Sequence, residues 1–256
     1  METAIATLAV GGLIGAVLAL IGGGGSILAV PLLVSFAGLS THLAIGTAAV
    51  GVSLNALLAV IGHSRVGTVK WPCALVFGAS GMAGAAAGAE LGKATEPDLL
   101  LSLFGILMIA VGGLMFRGRR LAANAEVRLT RASAGELLPR LLPLGVGVGV
   151  MAGFFGIGGG FLIVPAIILA TRMPIAMAIG SSLAVISVLG ATTAASYALS
   201  GLVDWTAVLM LVAGGTAGAA IGLQVQKRLA GRQKLLERGF AAAVVAGGAA
   251  IAGGLP

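Results

Sequence analysis

Two glycine clusters are the segments of this sequence best suited to bind a ligand. The first is Gly22, Gly23, Gly24 and Gly25, followed by Ser26; the second is Gly156, Gly158, Gly159 and Gly160. Each opens a short apolar stretch containing Val-Pro, with Pro31 in the first and Pro165 in the second, where the prolines are expected to help break the helix. A helix that starts directly after such a cluster presents unpaired N–H groups and a partial positive charge of about half a unit. Glycine adds close backbone approach. Two such starts facing one cavity favour a small anion. Polar side chains able to replace part of its hydration shell are few: Thr47, Ser53 and Asn55, then Ser181, Ser182 and Ser187, with Thr192 and Thr193 beyond. Asn55 is the strongest single candidate, because an amide buried without partners is costly. The bland alternatives are tight turns and helix packing for the glycines, and interhelical hydrogen bonds of about 0.6 kcal/mol each for the hydroxyls.

Other chemistries fit less well. A nucleotide-binding P-loop needs Gly-Lys-Ser/Thr after its glycines, and no lysine follows either cluster. The run from Gly153 to Gly158 resembles a dinucleotide fingerprint only loosely, with no strand or ribose-binding acid in a soluble setting. An intramembrane serine protease would need Ser26 or Ser181 facing His42 or His63 at depth, and an aspartyl type needs paired mid-membrane Asp residues. Glu90, Asp98 and Asp204 all fall near segment ends, so no carboxylate proton relay is visible. No cofactor, metal or nucleic-acid partner is expected.

The elements that must hold these residues are membrane helices. Of 256 residues, 59% are hydrophobic and 9% charged, against roughly 25% charged in a soluble domain. Charge-free runs extend over Thr3–Val34 and Leu141–Thr171, while a span needs about 20 apolar residues. The composition therefore indicates an all-α integral membrane protein. Of the 43 glycines, Gly84, Gly88 and Gly92, and again Gly214, Gly218 and Gly222, form small-residue ladders that read as packing surfaces. Cys73 is the single cysteine, so no internal disulfide is possible. The start Met1-Glu2-Thr3 lacks the basic region of a cleaved leader, so the first apolar segment is expected to be retained.

The chain reads as two copies of one unit. At a constant offset of 134, Val30-Pro31 falls on Val164-Pro165, Ala44-Ile45-Gly46 on Ala178-Ile179-Gly180, Thr47 on Ser181, Ser53 on Ser187 and Gly67 on Gly201. The two tryptophans, Trp71 and Trp205, coincide as well. The copies cover about residues 1–116 and 141–256, joined by a basic linker over 117–140. Each copy is expected to hold a glycine-tipped broken hairpin (4–21 with the piece after Gly25, and 141–155 with 161–171) and three spans. The spans are expected at 42–62, 71–89 and 98–116, then 175–198, 205–225 and 235–253.

A hairpin adds no net crossing, so three spans per copy invert the second copy. Charge agrees. With the linker in the cytoplasm and both termini outside, every Lys and Arg except Lys93 falls inside, as the positive-inside bias requires. The two tips can then meet near the bilayer midplane, where transporters built from inverted repeats place their sites, and alternating access would come from one copy rocking against the other. The readings kept open are a carrier or channel for another small solute, a non-transporting assembly factor, and a homodimer that no residue argues for.

The elements Gly22-Gly-Gly-Gly-Ser-Ile-Leu-Ala-Val-Pro31 and Gly156-Ile-Gly-Gly-Gly-Phe-Leu-Ile-Val-Pro165, with Ala44-Ile-Gly-Thr47 and Ala178-Ile-Gly-Ser181, resemble the TauE/SafE family of sulfite and sulfonate exporters. The resemblance covers nearly the whole chain. It implies a bacterial inner-membrane carrier for small sulfur-containing anions, in the export direction. Ile157 replaces Gly23 and Gly160 replaces Ser26 in the second copy, so the two tips differ chemically.

Overall fold

The computed structural model describes residues 2–21, 23–117, 131–156, 160–228 and 233–252. It is an all-α integral membrane protein: every regular element among those residues is helical. The first half holds α1 (Glu2–Ile21), a 3-10 helix (Gly23–Leu28), α2 (Ala29–Ala37), α3 (Thr41–Arg65), α4 (Trp71–Ala94) and α5 (Pro97–Arg117). The second holds α6 (Arg131–Phe155), α7 (Gly160–Thr171), α8 (Ile175–Leu199), α9 (Trp205–Arg228) and α10 (Gln233–Ala252). Five described helices, within α3, α4, α6, α8 and α9, are long and apolar enough to cross a bilayer. The 25 residues of α3 reach about 37 Å at 1.5 Å per residue.

Local chemistry explains most boundaries. Pro72 lies in the first turn of α4, Pro97 opens α5 and Pro174 precedes α8, positions where the missing N–H costs nothing. Gly67 and Gly201 turn the chain after α3 and α8 with φ of 72° and 70°. Gly38 closes α2 in the left-handed region, and Arg172, the residue 134 further on, does the same after α7 with φ 57°. There a non-glycine residue carries the strain. Trp71 and Trp205 stay exposed at the first positions of α4 and α9, as interfacial aromatics do.

Three boundaries differ from expectation. The helix of the second hairpin starts at Arg131 rather than 141, inside the segment read as linker, and it continues through Pro139 and Pro143. From Gly23, within the first cluster, the chain is wound as a 3-10 helix to Leu28, so regular α-helix begins at Ala29 rather than Ser26. Consecutive glycines are poor α-formers, and short 3-10 pieces are common at helix starts. The prolines break nothing: Pro31 falls in the first turn of α2, and Pro165 lies inside α7, which runs on to Thr171.

The closest helix packing crosses between the halves. α1 lies along α9, α4 along α6, α3 against α8 and α5 against α10. Glycines make this possible. A β-carbon at Gly84 would overlap the Val146 carbonyl, and one at Gly88 the Val150 carbonyl; one at Gly218 would overlap the Gly12 carbonyl. Gly81 with Gly149, and Gly215 with Gly15, make equally close backbone approaches. These contacts recur at the 134 offset: Gly84 with Val146 corresponds to Gly218 with Gly12, and Gly149 with Gly81 to Gly15 with Gly215. The pairs α4–α6 and α1–α9 run parallel, whereas α5 and α10 run antiparallel, with Gly105 beside Gly248 and Gly112 beside Ala241. Separating the two halves as rigid bodies would break the tightest seams in the molecule.

Candidate functional site

The two glycine-led segments are brought together. The 3-10 helix Gly23–Leu28 packs against α7, which begins at Gly160, and it also touches α1 and α8. Ser26 is fully buried there. Gly156 ends α6 with φ 66°, and its N–H donates to the Gly153 carbonyl at 3.3 Å. A β-carbon on it would collide with the Ile45 side chain on α3, so only glycine fits that turn. Gly22, Gly158 and Gly159 lie outside the described residues.

The candidate hydroxyls sit deep in α3 and α8 and hold backbone. Thr47, fully buried, accepts from the Asp204 N–H at 3.0 Å. Ser181, also fully buried, accepts from the Lys70 N–H at 2.9 Å. The second bond is the first displaced by 134 at both ends, and each joins one half's helix to the other half's loop. The neighbouring glycines do the same: a β-carbon at Gly46 would overlap the Leu202 carbonyl, and one at Gly180 would sit 2.9 Å from the Thr68 carbonyl oxygen. Ser53 donates to the Ser187 carbonyl at 2.7 Å, across the α3–α8 crossing. Ser187 and Ser182 donate to carbonyls of their own helix, Ala184 and Ile179, at 2.8 Å. Thr192 and Thr193 also donate within α8.

Asn55 differs. It is 8% exposed, and its amide nitrogen reaches the Leu211 carbonyl only at 3.5 Å. The side chain fills the space that a β-carbon on Gly215 would take. It lines a crevice with Gly11, Ile14, Ala29 and Val52, beside the start of α2. That crevice and a second one, between Ile45, Phe104 and Phe155, are too narrow to admit a water molecule.

The two histidines have structural partners. His42 Nε2 pairs with the Gly92 carbonyl at 3.2 Å. Thr68 Oγ1 donates to the His63 carbonyl at 3.0 Å and so accepts from His63 Nδ1 at 2.9 Å. Near the ends of α4 and α8, Lys93 pairs with Glu90 at 2.8 Å and donates to Ser200 Oγ at 3.0 Å, while Ser196 Oγ donates to Glu90 at 2.9 Å. The sequence does not single out Tyr197, which is fully buried on α8 and whose hydroxyl has no hydrogen-bond partner among the described residues. Its being the chain's single tyrosine, inside an apolar segment, was the available signal.

Known proteins match this sequence along most of its length. A Xylella fastidiosa protein named "Probable membrane transporter protein" is 44% identical over 247 residues, 96% of this chain and 94% of its own. The Bacillus subtilis "Probable membrane transporter protein YunE" is 31% identical over 233 residues, covering 84% of this chain and 85% of that one. A second B. subtilis protein, "Probable membrane transporter protein YdhB", is 28% identical over 211 residues, 82% and 85% of the two chains. No solved structure matches. The family model described as "Sulfite exporter TauE/SafE" matches residues 7–251, so the chain belongs to the TauE/SafE family.

Proposed function

We propose that the chain is a membrane transporter of small anions, with sulfur oxyanions such as sulfite or organic sulfonates as substrates and export as the direction. One observation carries the reading: the 3-10 helix that holds the first glycine cluster and the helix that starts after the second cluster pack against each other. Their N–H groups supply positive potential where no described lysine or arginine is needed. Asn55 adds an amide in the crevice beside Ala29, at the start of α2. The family and the names of the relatives support the same class of function.

The halves are read as inverted copies. Equivalent helices that cross antiparallel, such as α5 and α10, are related by an axis lying across the helices, which puts it in the membrane plane. The moving parts, in this reading, are not the two copies. Bundles that preserve the glycine seams combine α1 with α9 and α4 with α6, one helix from each copy. Alternating access then shifts these mixed bundles about α3 and α8. The Thr47–Asp204 bond closes the outer side and the Ser181–Lys70 bond closes the cytoplasmic side, with the 117–140 region cytoplasmic and the protein in the bacterial inner membrane.

The test is flux into proteoliposomes, guided by thermal-shift screening of purified protein against sulfite, sulfonates, sulfate, thiosulfate and carboxylates. Gly25→Val and Gly159→Val should abolish flux while leaving insertion intact, and wild-type flux in both would remove the tips from the mechanism. A protein that inserts and binds partners yet moves no solute would be an assembly factor instead. The orientation has its own check. In a Cys73→Ala background, Glu2→Cys and Pro256→Cys should each react with an impermeant maleimide applied outside the cell, and reaction at one terminus only would rule out inversion.

A further inference from the structure

The Thr47–Asp204 and Ser181–Lys70 bonds are equivalent in geometry, but the charges around them are opposite. Lys70 and Arg172 stand at the Ser181 gate, where the positions 134 residues away at the Thr47 gate hold Asp204 and Gly38. The same offset pairs Arg65 with Leu199. One hydroxyl links the two cations. Ser181 accepts from the Lys70 N–H at 2.9 Å and donates to the Met173 sulfur at 4.0 Å, and Met173 directly follows Arg172. The Arg172 backbone is pinned: its N–H donates to the Ile168 carbonyl at 2.7 Å, and the Met173 N–H donates to Thr171 Oγ1 at 3.3 Å. Thr171 and Met173 are buried, while Arg172 between them is exposed.

Orientation in the membrane asks only for basic residues somewhere in the cytoplasmic loops. Arg65 meets that need at no cost, in the last turn of α3, where a cation complements the helix dipole. Lys70 and Arg172 occupy positions that disfavour them. Lys70 is the N-cap of α4, where a cation opposes the dipole and lysine has no acceptor with which to cap. Its counterpart Asp204 does cap, accepting from the Ala207 N–H at 3.0 Å. Arg172 holds left-handed backbone with φ 57°, where Gly38 holds φ 67°, a conformation that glycine adopts without strain. Two cations at locally costly positions beside one bond call for a role of their own.

We propose that Lys70 and Arg172 form an anion-capture site at the cytoplasmic gate, which takes a small oxyanion from solution before it passes to the glycine tips. This deepens the transport reading above and rests on it. A guanidinium fork and an ammonium match the oxygens of sulfite or a sulfonate, and their field concentrates anions at that mouth. Asp204 repels an anion at the other gate. The anion therefore binds from the cytoplasm at lower concentration than from outside.

The experiment is uptake of radiolabelled sulfite into inside-out membrane vesicles, with Lys70→Gln and Arg172→Gly, at low and at high ionic strength. At low salt each variant should raise KM about tenfold, the lower end of what charge steering supplies. The difference from wild type should narrow at about 1 M salt, where the screening length falls to about 3 Å. Arg172→Gly should also keep or raise the melting temperature of the purified protein, since it removes the left-handed strain, and Lys70→Arg should keep the wild-type KM. An unchanged KM in Arg172→Gly at low salt overturns the proposal. So does a raised KM that high salt leaves as far from wild type, or an Arg172→Gly protein that fails to accumulate, since each makes the side chain structural. Should Lys70→Gln fail to accumulate, Arg172→Gly alone decides. Wild-type vesicles that take up no sulfite would instead bring down the transport reading, and this inference with it.

Discussion

Gly84→Ala and Gly218→Ala are expected to destabilise the protein severely, and Gly84→Leu or Gly218→Leu to prevent its accumulation in the membrane. The new β-carbon would overlap a backbone carbonyl, that of Val146 or of Gly12. A side chain can swing away, but a helix backbone cannot move without carrying its whole seam. Overpacking of this kind costs about 1–3 kcal/mol or more. Van der Waals fit is also the main force joining helices in lipid, where tails are as apolar as leucine. Gly62→Ala and Gly113→Ala are the controls. They lie on α3 and α5 with nothing within 4 Å of the added carbon, and alanine's better helix propensity, worth about 1 kcal/mol, should leave stability level or raised. Size-exclusion retention after heating in detergent reads the difference. If Gly84→Ala melts like Gly62→Ala, the α4–α6 seam is not the close approach described.

Those seams also show where the sequence stops being informative. The ladders Gly84, Gly88 and Gly92, and Gly214 with Gly218, were legible as packing faces because small residues at that spacing have little other use. Their partners were not legible. Self-similarity at an offset of 134 says that two segments share a shape, but it does not say on which copy each helix lies. The answer, α1 on α9 and α4 on α6, is why the proposed moving unit is a mixed bundle and not a copy. The start of α6 was missed for a related reason. Arg131, Glu136, Arg140, Pro139 and Pro143 resemble linker chemistry, yet neither polarity nor proline forbids a helix whose exposed first turns reach the aqueous face.

The site divides in the same way. Residue types at depth were readable: Thr47, Ser53, Asn55 and Ser181 all prove buried. Their partners depend on loops far along the chain, since Asp204 is 157 residues from Thr47 and Lys70 is 111 from Ser181. A pattern within one segment cannot reveal such bonds. They assign to two hydroxyls, expected to meet a ligand, the task of tying one half to the other.

That task yields opposite outcomes for two similar substitutions. Thr47→Val and Ser181→Ala each remove the acceptor of one N–H, at Asp204 or at Lys70, and leave the other bond intact. A lost hydrogen bond of this kind is worth about 1 kcal/mol, and one to two kcal/mol shifts a two-state ratio by roughly five- to thirtyfold. Only the side whose bond is lost should open more often. A reporter cysteine at Ala29, buried in the crevice beside Asn55, in a Cys73→Ala background, measures this. Thr47→Val should speed its labelling by an impermeant maleimide from outside, and Ser181→Ala from the cytoplasmic side of inverted vesicles. The double variant should lower both barriers and restore the balance between sides, because neither state then keeps an advantage. Labelling that quickens from the same side in both single variants would mean that the two bonds stabilise one packed core and do not govern access from opposite faces.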